Sequence, residues 1–407
     1  MGSLDTTLAS KSLPITQVQF DEAEEQAVLE VLRSGWIVQG PRVAEFERRF
    51  ADFVGCEFAV ATSSCTTSLH LALLAAGIGP GDKVIVPSLT YIATANAVEY
   101  VGAQPIFADI DPCHFTIDID SVRRLLEGNN DGNVKAIIPV SLFGLCADMP
   151  EVNSLAEEFG LIVIEDAACG MGGYRQGHHA GTEAEIGVFS LHPRKAITTG
   201  EGGVIVTNNE QYAETMRSLR NHGASMSDMQ RHLQHGGSLL PEFNMLGYNY
   251  RMTDIQGAIG IAQMRKASGI FAARREAAQY YNEILKDIDG LYIPQSPENY
   301  RHAYQSYVCY FGFVPEKGDI DLNRVREANI RRNRLMAELE QEGISVRQGT
   351  HAVHTLGFYR NKYGLTESDC PAAFAADRLS IALPLFPGIL TSDQHRVAET
   401  IKRLLII

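Results

Sequence analysis

The chain has 407 residues, 45% apolar and 21% charged, the balance of a globular domain or two with a sizeable core. A net charge of −14 argues against nucleic acid or acidic membrane as a general partner, and no apolar run approaches membrane-spanning length. Seven scattered cysteines without CxxC spacing speak against a disulfide framework or a zinc site and for reduced thiols, with the cytoplasm as the expected compartment and no signal peptide.

The first 13 residues show no pattern and read as a loose arm. From Asp21, DEAEEQAVLEVLRSG predicts a helix, capped by Asp21, acidic in its first turn and ended by Gly35. A loop and a second amphipathic helix follow in WIVQGPRVAEFERRFADFVG. The only tryptophan, Trp36, stands at this junction as a packing anchor or, alternatively, as part of a substrate site.

In ATSSCTTSLHLALLAAG (61–77), hydroxyl residues precede an alanine- and leucine-rich helix. Ser63 or Ser64 caps it, leaving the amides of Cys65, Thr66 and Thr67 free to meet an anion such as phosphate, although plain capping is the commoner meaning of the pattern. A short strand at Val84 to Val86 then leads past Pro87 to Tyr91, just beyond the strand's C-terminal end, where ligands of open α/β sheets bind. Runs AQPIFADID and VKAIIPVSLFG continue the alternation of strand and helix. The predicted fold class is therefore α/β, a mostly parallel sheet covered by helices.

LIVIEDAACGMGG (161–173) is an apolar run ending in Glu165 and Asp166. A buried strand that delivers a carboxylate needs a positive partner there, since an unpaired buried charge is costly. A pyridinium nitrogen is one such partner; capping the next helix is the alternative role. GVFSLHPRKAITTGEGGVIVT (187–207) places Lys195 between two strands, beside Gly200, Gly202 and Gly203, where small residues let a planar ligand approach the backbone. That is the setting of a Schiff-base lysine, although most lysines are solvated charges.

Residues 208–246 are mixed and include a long polar loop, NHGASMSDMQRHLQHGG, whose histidines lack a metal-binding repeat. GYNYRMTDIQGAIG then sets Asn249 and Arg251 before a helix capped by Thr253. From residue 266 the chain turns to long charged helices with a strand at Tyr307 to Phe313. This predicts a large domain at 14–265 and a smaller α/β domain at 266–407. Arg324, Arg326, Arg331, Arg332 and Arg334 read as a solvated helix face. Arg347, His351 and His354 in SVRQGTHAVH could meet an anionic substrate or serve structure alone. An amphipathic helix, SDQHRVAETIKRLLII, ends the chain.

Together SSCTTSLHLAL, GIGPGDKVIVPSLTYIATANAV, VIEDAA, FSLHPRKAITTGEGG and GYNYRMTDIQGAIG resemble the DegT/DnrJ/EryC1/StrS sugar aminotransferases of fold type I. The resemblance implies pyridoxal 5'-phosphate as cofactor, carried as a Schiff base on Lys195, with Asp166 at its ring nitrogen and Tyr91 stacked on the ring. It also implies that the backbone at Cys65 and Thr66, with Ser190, holds the phosphate. Asn249 would reach the cofactor of a neighbouring subunit in a homodimer. Two positions depart from the usual pattern: Cys65 replaces a glycine, and Cys169 replaces the Gln or His that bonds the cofactor's phenolic oxygen. The implied reaction moves an amino group from L-glutamate to a keto-sugar, nucleotide-linked or a keto-sugar acid. A keto-cyclitol acceptor is an alternative, as is a sugar dehydratase on the same fold, against which Lys195 argues. No metal is expected.

Overall fold

The computed structural model describes residues 12–129, 132–226 and 240–406. Seven strands form the central sheet: β1 (Phe58–Thr62), β2 (Lys83–Pro87), β3 (Gln104–Ala108), β4 (Val134–Ile137), β5 (Ile162–Asp166), β6 (Ile186–Ser190) and β7 (Gly203–Thr207). Their order across the sheet is β1-β7-β6-β5-β4-β2-β3. Strand β7 alone runs against its neighbours, pairing antiparallel with both β1 and β6, whereas β6-β5-β4-β2-β3 are parallel. Both faces are covered, so the strands are near-continuous apolar runs; IVIED is buried at four of its five positions.

The helices α1 (Glu22–Ser34) and α2 (Pro41–Val54) precede the sheet, and α3 (Cys65–Ala75) follows β1. Helices α4 (Ala93–Tyr100), α5 (Ile119–Gly128) and α6 (Met149–Phe159) join the parallel strands, and α7 (Glu210–Arg220) follows β7. Asp21 caps α1 in a reciprocal pair with Glu24, and Gly35 ends it at φ 74°. Helix α3 is apolar around much of its circumference because it is buried, with Leu69, Leu71 and Leu73 fully inaccessible.

Helix α8 (Asp254–Leu285) begins on a Thr253 cap and runs unbroken across the division expected after residue 265. Its first half, through Phe271, packs with Phe46, Phe50 and Phe189, while Ala277 to Leu285 join a second core with Tyr307, Leu339 and Ile401. That second core is built on the antiparallel strands β8 (Leu291–Tyr292), β9 (Tyr307–Phe311) and β10 (Ser380–Leu383). Helices α9 (Leu322–Gln341), α10 (Gly357–Tyr363), α11 (Pro371–Leu379) and α12 (Thr391–Ile406) complete the chain. The strand expected to reach Phe313 stops at Phe311, because Gly312 turns the chain at φ 85°.

Two expectations are corrected. The start of the chain is no loose arm from residue 12 onward: Leu13 is buried in the second core, its amide donating to the Gly343 carbonyl and its carbonyl accepting from Ser345. Arg332 does not belong to a solvated face. It is 2% exposed and donates to the Ser380 carbonyl at 2.9 Å, while Arg324, Arg326, Arg331 and Arg334 are exposed. Part of the polar loop, residues 227–239, lies outside the described residues. No described helix is long and apolar enough to cross a membrane.

Candidate active site

The C-terminal ends of β5 and β6, the start of α3 and the smaller core enclose a cavity of about 510 Å³. Cys65, Thr66, Tyr91, Asp166, Cys169, Ser190, Lys195 and Arg347 all line it. These residues are far apart in sequence and are brought together by the parallel sheet, whose strands deliver their ends to one edge.

Lys195 sits in a turn held from three directions. The Leu191 amide donates to the Gly202 carbonyl at 2.9 Å, Thr198 Oγ1 donates to the Leu191 carbonyl at 2.7 Å, and Gly200 takes φ 83°. From outside the turn, Gln305 accepts from the Ala196 amide at 3.0 Å and donates to the Arg194 carbonyl at 2.6 Å. Gln305 is itself set by the buried Arg274, which donates to the carbonyls of Tyr304 and Gln305 at 3.0 and 2.7 Å. Gly203 is required where β7 passes α3: a Cβ there would lie 2.5 Å from the Ser64 carbonyl oxygen.

Lys195 Nζ donates to Cys169 Sγ at 3.0 Å. Burial disfavours the lysine's charge, but Cys169, Cys65 and Asp166 outweigh it and hold the amine above the ordinary lysine range. Asp166 is 4% exposed, its Oδ2 accepting from Thr94 Oγ1 at 2.8 Å and its Oδ1 from the Ala168 amide at 3.1 Å. Burial nonetheless raises its pKa, so the carboxyl is poised for a cationic partner that would hold it ionised.

At the start of α3, Ser64 is the cap, and the Thr67 amide donates back to Ser64 Oγ at 3.2 Å. Thr67 therefore drops out of the expected trio of free amides. Those of Cys65 and Thr66 have no hydrogen bond among the described residues, and both residues face the cavity. Two first-turn amides, the positive end of a helix dipole and the nearby Ser190 hydroxyl form a cradle suited to phosphate. A lysine, a buried carboxylate and an anion cradle in one cavity fit the parts of pyridoxal phosphate: aldehyde, ring nitrogen and phosphate.

Other expected contacts fall elsewhere. His354 is 0% exposed, bonded through Nδ1 to Ser88, and pushed by burial to about 4; it is a neutral core histidine and lines no cavity with Lys195. His351 is exposed and pairs through its backbone with Thr90, outside the cavity lining, although Gln348, Gly349 and Thr350 beside it belong to that lining. Trp36 is half-buried over Gly40, its Nε1 donating to the Gln39 carbonyl at 3.3 Å, and takes no part in the cavity. Asn249 is exposed and bridges to Asn221. It lies beside a second hollow of about 500 Å³ in which Arg220 is paired with Glu47 and Arg251 with Asn221.

Sequence reasoning missed Thr94, Gln305, Ile15 and Thr16. The last two line the lysine cavity, where the Ile15 carbonyl accepts from the Leu385 amide at 3.1 Å. Only Thr94 left a trace, as a hydroxyl one turn beyond Tyr91 at the start of α4.

Comparison with known proteins follows the same lines. A model of the DegT/DnrJ/EryC1/StrS aminotransferase family matches residues 18–402. The GDP-perosamine synthase of Caulobacter vibrioides is 35% identical over 396 residues, 97% of this chain and 98% of that protein. The spore coat polysaccharide biosynthesis protein SpsC of Bacillus subtilis is 35% identical over 392 residues, 96% of each. The Streptococcus pneumoniae protein Spr1654, solved in its PLP form, superposes with a TM-score of 0.85 at 25% identity, covering 97% of this chain and 98% of that one.

Proposed function

Since the chain belongs to the DegT/DnrJ/EryC1/StrS aminotransferase family, a family of sugar aminotransferases of fold type I, we propose that it transfers an amino group from L-glutamate to a keto-sugar. The observation that carries this reading is the cavity in which Lys195, Asp166 and the free amides of Cys65 and Thr66 converge. The names of two relatives, a spore coat polysaccharide biosynthesis protein and a GDP-perosamine synthase, favour a sugar acceptor, nucleotide-linked as the second name suggests. A keto-sugar acid or keto-cyclitol makes similar demands on the site.

Pyridoxal 5'-phosphate, when bound, supplies an electron sink and a carrier for the amino group. Lys195 would hold it covalently and, as a free amine, would take the proton from the donor's Cα as general base and deliver it to the cofactor's C4′ as acid. Asp166 keeps the ring nitrogen protonated, and Thr94 fixes the carboxylate that does so. The Cys65 and Thr66 amides with Ser190 would bind the phosphate, and Tyr91 would stack on the ring. Arg347, whose side chain has no ion pair among the described residues, receives a substrate carboxylate or phosphate at the mouth. Exposed Asn249 serves the site of a second copy, which makes the working unit a homodimer. The enzyme acts in the cytoplasm, with its cysteines reduced.

The test is the visible spectrum of the purified protein with and without L-glutamate. A band that glutamate bleaches while 2-oxoglutarate appears, and that Lys195→Ala lacks, is the expected result. A band indifferent to glutamate would reject this donor, and a protein that takes up no cofactor would reject the reading. The glutamate-treated protein is then offered nucleotide-linked keto-sugars, keto-sugar acids and keto-cyclitols.

A further inference from the structure

The nearest partner of the reacting nitrogen is a sulfur. Among the described residues, the hydrogen bond made by Lys195 Nζ goes to Cys169 Sγ, 3.0 Å away in the turn after β5. Asp166, on the same strand end, is already engaged at both oxygens by Thr94 and Ala168. An ammonium drawn out of water needs an acceptor, and here the thiol of Cys169 provides it. Other groups face the same space: Cys65 from the first turn of α3, Tyr91 beyond β2, His192 and Arg194 on the lysine's own turn, Glu201 from the glycine turn and Arg347 from the smaller core. None of them has a hydrogen bond to Nζ.

We propose that Cys169 is a positioning residue for amino transfer: its sulfur accepts from Lys195 Nζ and fixes where the amine stands in the cavity. This rests on the reading of Lys195 given above. The electrostatics point the same way, for Cys169 leads the groups that oppose the effect of burial on the amine, ahead of Cys65 and Asp166. The consequence is kinetic. A lysine that must give up its proton to act as a base does so at higher pH with Cys169 in place than without it, so this sulfur sets the pH at which Lys195 changes from acid to base.

The test compares wild type with Cys169→Ala and Cys169→Ser in two states. In the protein loaded with pyridoxal phosphate, the visible band is titrated between pH 5.5 and 10, a span of roughly two units either side of neutral-to-basic lysine chemistry. Its midpoint is expected to fall by about one pH unit in Cys169→Ala, a tenfold change in protonated fraction, with Cys169→Ser between the two because a hydroxyl also accepts. In the cofactor-free protein, acetylation of Lys195 by acetic anhydride, followed by peptide mass spectrometry, should show the same fall in half-labelling pH. Circular dichroism establishes that each variant is folded. An unchanged or raised half-labelling pH in folded Cys169→Ala overturns the proposal. If wild type takes up no cofactor, the functional reading fails, while the acetylation comparison still decides the Cys169 contact.

Discussion

Glu165 permits a prediction in which sign and size both follow from its surroundings. It is 0% exposed, adjacent to Asp166 on β5 and so directed to the opposite face of the sheet. Its Oε1 accepts from Ser141 Oγ at 2.5 Å and its Oε2 from the Gly181 amide at 2.7 Å. Burial outweighs these bonds, Glu183 and Asp166 add repulsion, and the carboxyl is pushed from the ordinary 4.5 up to about 7. Between those two values the folded protein keeps a proton that the unfolded chain has lost. Stability contributed by this group is therefore full below pH 4.5 and declines as pH rises toward 7, with no further loss above. A difference of about 2.5 in pKa, at ~1.4 kcal/mol for each pH unit, corresponds to roughly 3 kcal/mol. Glu165→Gln keeps both hydrogen bonds, its carbonyl accepting from Gly181 and its amide donating to Ser141, but cannot ionise. Urea unfolding of the cofactor-free wild type and variant at a series of pH values is the assay. The variant's stability relative to wild type should climb by roughly 3 kcal/mol from pH 4.5 to 7.5. A difference that stays constant, or that moves in favour of wild type as pH rises, would refute the reasoning.

Three further outcomes are expected. Asp166→Asn keeps the bond to Thr94 but cannot hold a ring nitrogen protonated, so stopped-flow rates with glutamate should drop on the order of a hundredfold while cofactor uptake persists. Arg347→Ala should raise KM for one substrate by roughly tenfold to a hundredfold with little change in kcat, and the substrate affected in steady-state kinetics identifies which anion it meets. Arg332→Ala leaves the buried Ser380 carbonyl without its donor and a hollow behind α9, and should cost about 3 kcal/mol in urea unfolding without altering the visible spectrum.

The parts of the site that were legible in the sequence are those written as contiguous chemistry. An apolar run ending in Asp166, hydroxyls ahead of an apolar helix, and a lysine before closely spaced glycines each carry their own local pattern. Their convergence followed from the strand and helix alternation, because a parallel sheet presents its strand ends at one edge. For His354 the sequence left both roles open, because a histidine there looks the same whether it faces a ligand or Ser88; only burial separates the two. Arg332 misled, since one buried arginine among four exposed ones on α9 does not alter the helix's charge pattern. Ile15, Thr16 and Gln305 left no signal at all. Ile15 bonds Leu385, and Gln305 bonds Ala196 and Arg194, all more than 100 residues away in the chain, and no periodicity records such a contact.

The pairing of Leu13 with Gly343 and Ser345, and of Ile15 with Leu385, has a temporal consequence. The beginning of the chain waits for nearly all of the rest before its hydrogen bonds can form, and such sequence-distant contacts go with slower folding. During synthesis the parallel sheet, with its lysine and carboxylate, has all its strands once residue 207 has emerged, well before this side of the cavity wall can be laid down. The nascent chain therefore holds all seven strands of the sheet while one side of the cavity wall still lacks its partners.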